Sequence, residues 1–299
     1  MPQTTAVIEP GSDSQEMTGC VTSNAQPMVS VILPSYNHEA YVSQAIQSVV
    51  AQTYQNVELI VLDDGSTDQS VNLIQDLAKV YGFAVVAREN RGLAKTLNEG
   101  LNLARGKYVS FVGSDDYYHP RRIERAVEQL EQTSGSVACV YCDGDIVDHM
   151  GRRIGLFGER HPRPWLGSTY DNLVVGNWIP GLGATFKTRV IREFMFDDRF
   201  MIEDHTLFLR MFKDGRLSLK YYEDIGFAYR WHRGNVSNPG PMMDRENRLI
   251  EQWFEDVGRY AEFKRCLKTR SSSLVNTLSA RNCYLLMLHL ARWLRRKAV

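Results

Sequence analysis

VELIVLDDGSTD, residues 57–68, sets a run of almost wholly apolar residues directly against two carboxylates and a Gly-Ser-Thr turn. A run this short, rich in β-branched residues and ended by turn chemistry, reads as a strand buried on both faces. The same rhythm holds on either side. Upstream, MVSVILP starts a strand at Met28, and Tyr41, Ala45, Ile46, Val49 and Val50 mark one face of a helix. Downstream, Val71, Ile74, Leu77 and Ala78 mark a second helix. FAVVA (83–87) is a strand, a helix runs from about Leu93 to Ala104, and KYVSFV (107–112) closes the series. Apolar strands alternating with amphipathic helices predict an α/β fold, a Rossmann-like mostly parallel sheet flanked by helices and joined by right-handed crossovers.

Composition narrows the function classes. The chain has 299 residues, 43% hydrophobic, enough for one large domain and an appendage. Lysine plus arginine and aspartate plus glutamate both number 35, so no global field favours nucleic acid, and none is expected as a partner. The five cysteines are an odd, scattered set, and no secretory signal is read at the start, so a cytoplasmic setting is expected. Cys139 and Cys142 form a C-x-x-C, but SVACVYCD reads as a buried strand and no second cysteine pair completes a zinc site. Residues 1–27, rich in small polar residues, read as a disordered tail.

Ligands of such sheets bind beyond the carboxyl ends of the strands, so the turns leaving each strand matter most. Pro34-Ser35-Tyr36-Asn37 comes after the first, with Glu39 close behind; Asp63-Asp64-Gly65-Ser66-Thr67-Asp68 comes after the second. Arg88-Glu89-Asn90-Arg91-Gly92 leaves the third, and Ser114-Asp115-Asp116 the fourth. Each alone is ordinary turn and cap chemistry. Together they bring acids and an arginine to one edge, where side-by-side carboxylates face water or hold a cation.

The ordered set PSYN, DDGSTD, NRGLAKTLNEGL, SDD and a later ED resembles the family 2 glycosyltransferases of the GT-A fold, inverting enzymes that use nucleotide-diphosphate sugars. The resemblance covers roughly residues 28–237. It implies a donor seated on Pro34, Tyr36, Asn37, Glu39, Asp63, Asp64, Asn90, Arg91, Ser114 and Asp115, and a glycan or lipid-linked saccharide as acceptor. It also implies Mg²⁺ or Mn²⁺ on the SDD segment, with Asp115 and Asp116 as ligands. Where many relatives carry a further aspartate, this chain has Gly113, which supplies no side-chain ligand. Mg²⁺ often takes only one or two protein carboxylates, so Asp115 can suffice, with Asp116 as second ligand or supporting group. Asp143-Gly144-Asp145 is a rival acidic pair, read as a turn with solvated acids.

The second half reads as the acceptor side. Between about 143 and 200 the rhythm loosens into turns with Trp165, Tyr170 and Trp178, rings that suit sugar faces or a core. In FMIEDHTLFLRMFKDG, a helix begins near Glu203 and Asp204, and its dipole favours ionised acids. The resemblance assigns Asp204 as catalytic base, with Glu203 orienting it or touching the acceptor. YRWHRGNVS (229–237) is similar to the family segment that closes over the diphosphate, with His232 ligating the metal or a phosphate and Arg230 or Arg233 bearing charge toward it.

The expected organisation is a 28–240 catalytic domain, divided into a nucleotide-sugar half (28–142) and an acceptor half (143–240), with a helical extension over 241–299. Leu285, Leu286, Leu288, Leu290 and Trp293 beside Arg292, Arg295, Arg296 and Lys297 predict an amphipathic helix over 273–297, suited to peripheral contact with the cytoplasmic face of a membrane or to self-association. Inverting sugar transfer in cell-surface polysaccharide synthesis is the favoured activity. A nucleotidyltransferase would carry a Gly-rich basic loop after the first strand, which PSYN lacks. A noncatalytic nucleotide- or carbohydrate-binding protein is the other alternative, kept open by Gly113.

Overall fold

The computed structural model describes residues 26–161, 168–235 and 237–269, the last seven as backbone only. Four strands form the N-terminal half of the sheet: β1 (Val29–Ser35), β2 (Val57–Asp63), β3 (Ala84–Ala87) and β4 (Tyr108–Phe111). They lie parallel in the order β3-β2-β1-β4. Helices α1 (Val42–Val50), α2 (Ser70–Tyr81) and α3 (Leu93–Leu103) make the crossovers. The pleat explains why these strands read as apolar runs. Val29, Val31, Leu33, Leu59 and Val61 pack with Ala45, Ile46, Val49 and Ile74 on one face. Ile32, Ile60 and Leu62 pack with Leu97 and Leu101 on the other. At Gly100 of α3 a Cβ would stand 2.5 Å from Ile32 Cγ2 and 3.0 Å from Leu62 Cδ1, so the helix can sit this close to the sheet only with glycine there.

The second half mixes directions. It comprises β5 (Tyr117–Tyr118), α4 (Arg122–Glu131), β6 (Val137–Val147), β7 (Arg153–Leu156), α5 (Phe157–Arg160), α6 (Thr169–Val175), β8 (Ala184–Lys187), α7 (Thr188–Phe194), α8 (Glu203–Phe212), β9 (Ser218–Arg230), α9 (Pro241–Trp253) and α10 (Glu255–Thr269). The full order is β3-β2-β1-β4-β8-β6-β9-β5, with β7 paired to β6. β8 runs antiparallel between β4 and β6, while β6 and β9 are parallel. The parallel pattern expected from the sequence therefore describes the N-terminal half, and β5, β7 and β8 add antiparallel pairs.

Asp143-Gly144-Asp145 is not the expected turn: β6 runs through it, and a Cβ at Gly144 would lie 2.3 Å from the Phe227 ring of β9. The glycine lets β9 cross closely, with register shifts at this point. Trp178 is 7% exposed and packs edge-on against Tyr141, a core residue and no sugar platform. Cys139 and Cys142 are free thiols buried within β6, as a core role requires. Trp165 and the predicted 273–297 helix lie outside the described residues. Among the described residues no helix is long and apolar enough to cross a membrane.

Candidate active site

The turns after β1 and β2 are laced together. Asn37 accepts Thr67 N–H through Oδ1, its own N–H goes to Ser66 Oγ, and its φ of 53° places it in the left-handed region. Asp63 accepts Ser66 N–H at 2.8 Å and Ser66 Oγ–H at 2.7 Å. Glu39 accepts Gln69 N–H, and Asp68 accepts Glu39 N–H and Ser70 N–H. Asp64 is bound by the Arg88 guanidinium and by the N–H groups of Arg91 and Gly92. Despite burial, these donors hold its carboxyl below the usual range. Asp63, Asp64 and Glu39 thus brace the loops beyond β1 and β2 into a cradle, while Tyr36, Asn90 and the Arg91 side chain stand exposed at its rim. Pro34 is the penultimate residue of β1, partly buried beside Ser35.

At the end of β4 the SDD turn meets residues from both ends of the domain. His232 Nε2 stands 3.0 Å from Asp115 Oδ2, and His38 Nδ1 lies 2.7 Å from Ser114 Oγ and 3.9 Å from Asp115 Oδ1. One ligand atom each from His38, Asp115 and His232 lies within 4.8 Å of the others. Burial would raise the Asp115 pKa, but the His232 hydrogen bond and the nearby His38 prevail and hold it below the usual range, ready to bind a cation. Tyr41 packs against both histidine rings. Of the two expected ions, Mn²⁺ accepts two imidazoles beside a carboxylate more readily than Mg²⁺, which keeps waters and oxygen ligands.

Asp116, expected as a metal ligand, stands apart from that group. It is 7% exposed, accepts Arg230 N–H at 2.8 Å, and is pushed well up by burial and the Asp115 charge. Arg230, expected to face a phosphate, is instead 2% exposed and fully engaged: Nε donates to Asp115 O and Nη2 to Gln44 Oε1, while Nη1 reaches Asp148 O and His149 O. It clamps the SDD turn from behind. Arg233 remains exposed. A Cβ at Gly113 would lie 2.8 Å from Asp115 Oδ1 and 2.9 Å from Asp116 Oδ2, so a larger residue would displace both carboxylates. With Gly113 in place, the third donor comes from His38, outside the SDD segment.

The acid pair at the start of α8 reaches the same edge through β8. β8 is antiparallel to β4, so the turn leading into it lies beyond the carboxyl end of β4. There, a Cβ at Gly181 would stand 3.0 Å from Asp204 Oδ2. Glycine leaves that space to the carboxylate, which is a packing role for the GLG turn. Asn177 Nδ2 donates to Asp204 Oδ2 at 3.1 Å, and His205 N–H to Oδ1 at 2.6 Å. The helix dipole alone would keep both acids ionised, yet desolvation wins. Burial and the Asp204 charge push Glu203 up to about 8, and burial also raises Asp204. The pair therefore retains a proton near neutrality, one acid poised to accept and the other to donate. His38, Asn177 and the α9 residue Glu246 belong to no motif in the sequence; for His38 the only signal is its place beside PSYN.

Residues 30–200 match the family described as Glycosyl transferase family 2. An uncharacterized glycosyltransferase of Haemophilus influenzae is 30% identical over 221 residues, covering 71% of this chain and 82% of that protein. An uncharacterized glycosyltransferase of Rickettsia prowazekii is 38% identical over 124 residues, covering 41% of this chain and 38% of that protein. The chain thus spans well under half the length of that relative. The solved S. aureus TarS 1–349 in complex with UDP-GlcNAc aligns with TM-score 0.57 at 21% identity, over 75% of this chain and 65% of that one. Mannosyltransferase PcManGT from Pyrobaculum calidifontis, in complex with GDP-Man and Mn²⁺, aligns with TM-score 0.53 at 18% identity, over 81% and 65%.

Proposed function

The chain belongs to glycosyltransferase family 2, and from that premise we propose that it transfers a hexosyl group from a nucleotide-diphosphate sugar to an acceptor hydroxyl with inversion. The observation that carries this reading is the meeting of two unlike clusters on one sheet edge: His38, Asp115 and His232, which could hold a cation, and the adjacent acids Glu203 and Asp204, whose pKa values are raised. The first suits a diphosphate, the second a hydroxyl.

The cradle formed by Asn37, Asp63 and Asp64 seats the nucleoside, with Tyr36 and the exposed Arg91 side chain at its rim. His38, Asp115 and His232 would hold Mn²⁺, or Mg²⁺ less well, which when bound neutralises charge on the departing diphosphate. The acceptor oxygen attacks the anomeric carbon from the face opposite the diphosphate as the carbon–oxygen bond to that group breaks, and the hydroxyl proton passes to Asp204. Protonated Glu203 donates a hydrogen bond to its neighbour or to an acceptor hydroxyl. A base whose pKa burial has raised takes the proton more readily than an ordinary aspartate. We assign the acceptor to a glycan or lipid-linked saccharide of cell-surface polysaccharide synthesis. The basic, leucine-rich 273–297 sequence supports an acceptor presented at a membrane surface.

The test is a thermal-shift screen of UDP- and GDP-sugars with and without Mn²⁺. A sugar nucleotide that raises Tm only with Mn²⁺ supports the reading. A protein indifferent to all of them in either condition contradicts it.

A further inference from the structure

We propose that Glu246 of α9 is a positioning residue for the Glu203–Asp204 pair, anchoring the backbone ahead of α8 and setting a third negative charge beside it. The proposal rests on the reading of that pair as the proton acceptor. Glu246 is 6% exposed, and its Oε1 accepts Met201 N–H at 2.5 Å and Ile202 N–H at 3.3 Å. These are the two backbone donors immediately before Glu203, at a helix start with no side-chain cap of its own. An isolated α8 would leave them unpaired. A carboxylate from a distant helix supplies the cap and fixes where the pair begins.

Two features argue for more than a cap. A neutral side-chain amide reaching from α9 would satisfy such donors without adding charge. Here, a third carboxylate is placed beside an acid pair, and its charge adds to burial and Asp204 in favouring the protonated form of Glu203. Of the other groups near the pair, Asn177 is neutral and His161 is held toward its neutral form by burial and Arg160, while His205, its Nε2 paired with Leu173 O, acts against burial at Asp204 and not at Glu203. Glu246 also lies on the chain segment that comes after the metal-site residue His232, so one stretch of chain braces both ends of the crevice.

The test uses the full chain with ¹³C-labelled glutamate, the Glu203 carboxyl signal being the one lost in Glu203→Gln. Glu246→Gln keeps an oxygen acceptor for Met201 N–H but removes the charge. The Glu203 titration midpoint should then fall from about 8 toward the ordinary carboxylate range. In turnover assays the basic limb of the kcat profile, set by loss of the Glu203 proton, should move to lower pH in Glu246→Gln with donor KM unchanged. Glu246→Ala, which removes the anchor as well, should lose kcat several-fold, and Glu246→Gln should restore it. A folded Glu246→Gln whose Glu203 midpoint stays at the wild-type value overturns the proposal. Absence of sugar transfer by the wild type would remove the base assignment instead, since the carboxyl titration reads the Glu246–Glu203 coupling without turnover.

Discussion

His232 Nε2 and Asp115 Oδ2 lie 3.0 Å apart, although 117 positions separate them in the chain. The contact joins the turn after β4 to the segment after β9, closing one end of the crevice. If the two residues share an ion, Asp115→Ala and His232→Ala should each weaken Mn²⁺ binding by about 10-fold or more, since even supporting groups of metal sites commonly contribute that much. Calorimetry of UDP and GDP binding with and without Mn²⁺ checks this, and Asp63→Ala should keep most of the metal effect.

His38 should behave as a third donor. His38→Ala is expected to reduce Mn²⁺ affinity while leaving metal-free nucleotide binding nearly unchanged, and to shift selectivity from Mn²⁺ toward Mg²⁺ by removing an imidazole. Competition between the two ions, read by Mn²⁺ electron paramagnetic resonance, measures it. An unchanged preference would place His38 outside the ion site, with only its Ser114 hydrogen bond.

Much of this arrangement is legible in sequence. The strands of the first half begin and end within a residue or two of their apolar runs, and in β1 Val31 and Leu33 are buried on one face and Ile32 on the other. The clustering of four turns on one edge comes directly from the parallel winding. Less is readable beyond Asp116. β6 continues through Asp143-Gly144-Asp145 only because Gly144 lies under the Phe227 ring, a tertiary contact that overrides turn propensity. Arg230 reads as a free cation until its carbonyl partners are seen. The pKa of Glu203 depends on burial and on the distant Glu246, neither of which a helix-start pattern records.

Gly113 predicts a local effect. In Gly113→Ala the new Cβ meets Asp115 Oδ1 and Asp116 Oδ2 within 3 Å, so the carboxylates must move. Crowding of this kind costs about 1–3 kcal/mol. The expected outcome is a several-fold loss of Mn²⁺ affinity with a modest fall in Tm; undiminished Mn²⁺ binding would show that the SDD turn can relax without cost to the ion site.

Arg230 predicts a larger effect on folding. Arg230→Met would leave the part-buried Asp115 O without its donor, at a cost of up to about 1–3 kcal/mol for an unpaired acceptor, whereas the exposed Gln44 can turn to water. Chemical denaturation should show the loss, together with weakened Mn²⁺ binding as the turn loosens.

The Glu203 carboxyl also makes stability depend on pH. Its folded pKa, about 8, exceeds the ordinary carboxylate value, so the native state holds the proton more tightly than the unfolded chain. Its contribution is therefore complete below the unfolded pKa and is lost as pH rises through about 8. Wild-type Tm should decline across that window more steeply than that of Glu203→Gln, which carries no titrating group there. Parallel slopes would show that Glu203 is not held protonated.

The most direct test of Asp204 as the base is transfer by Asp204→Asn measured together with its donor affinity. The substitution is nearly isosteric and cannot take up the acceptor's proton, and a positioned base contributes ~10²–10⁴-fold. Donor binding should stay within about 2-fold of wild type while transfer falls by roughly that catalytic factor. Near-normal transfer by Asp204→Asn would contradict the assignment, and an inactive Glu203→Gln beside an active Asp204→Asn would move the base to Glu203.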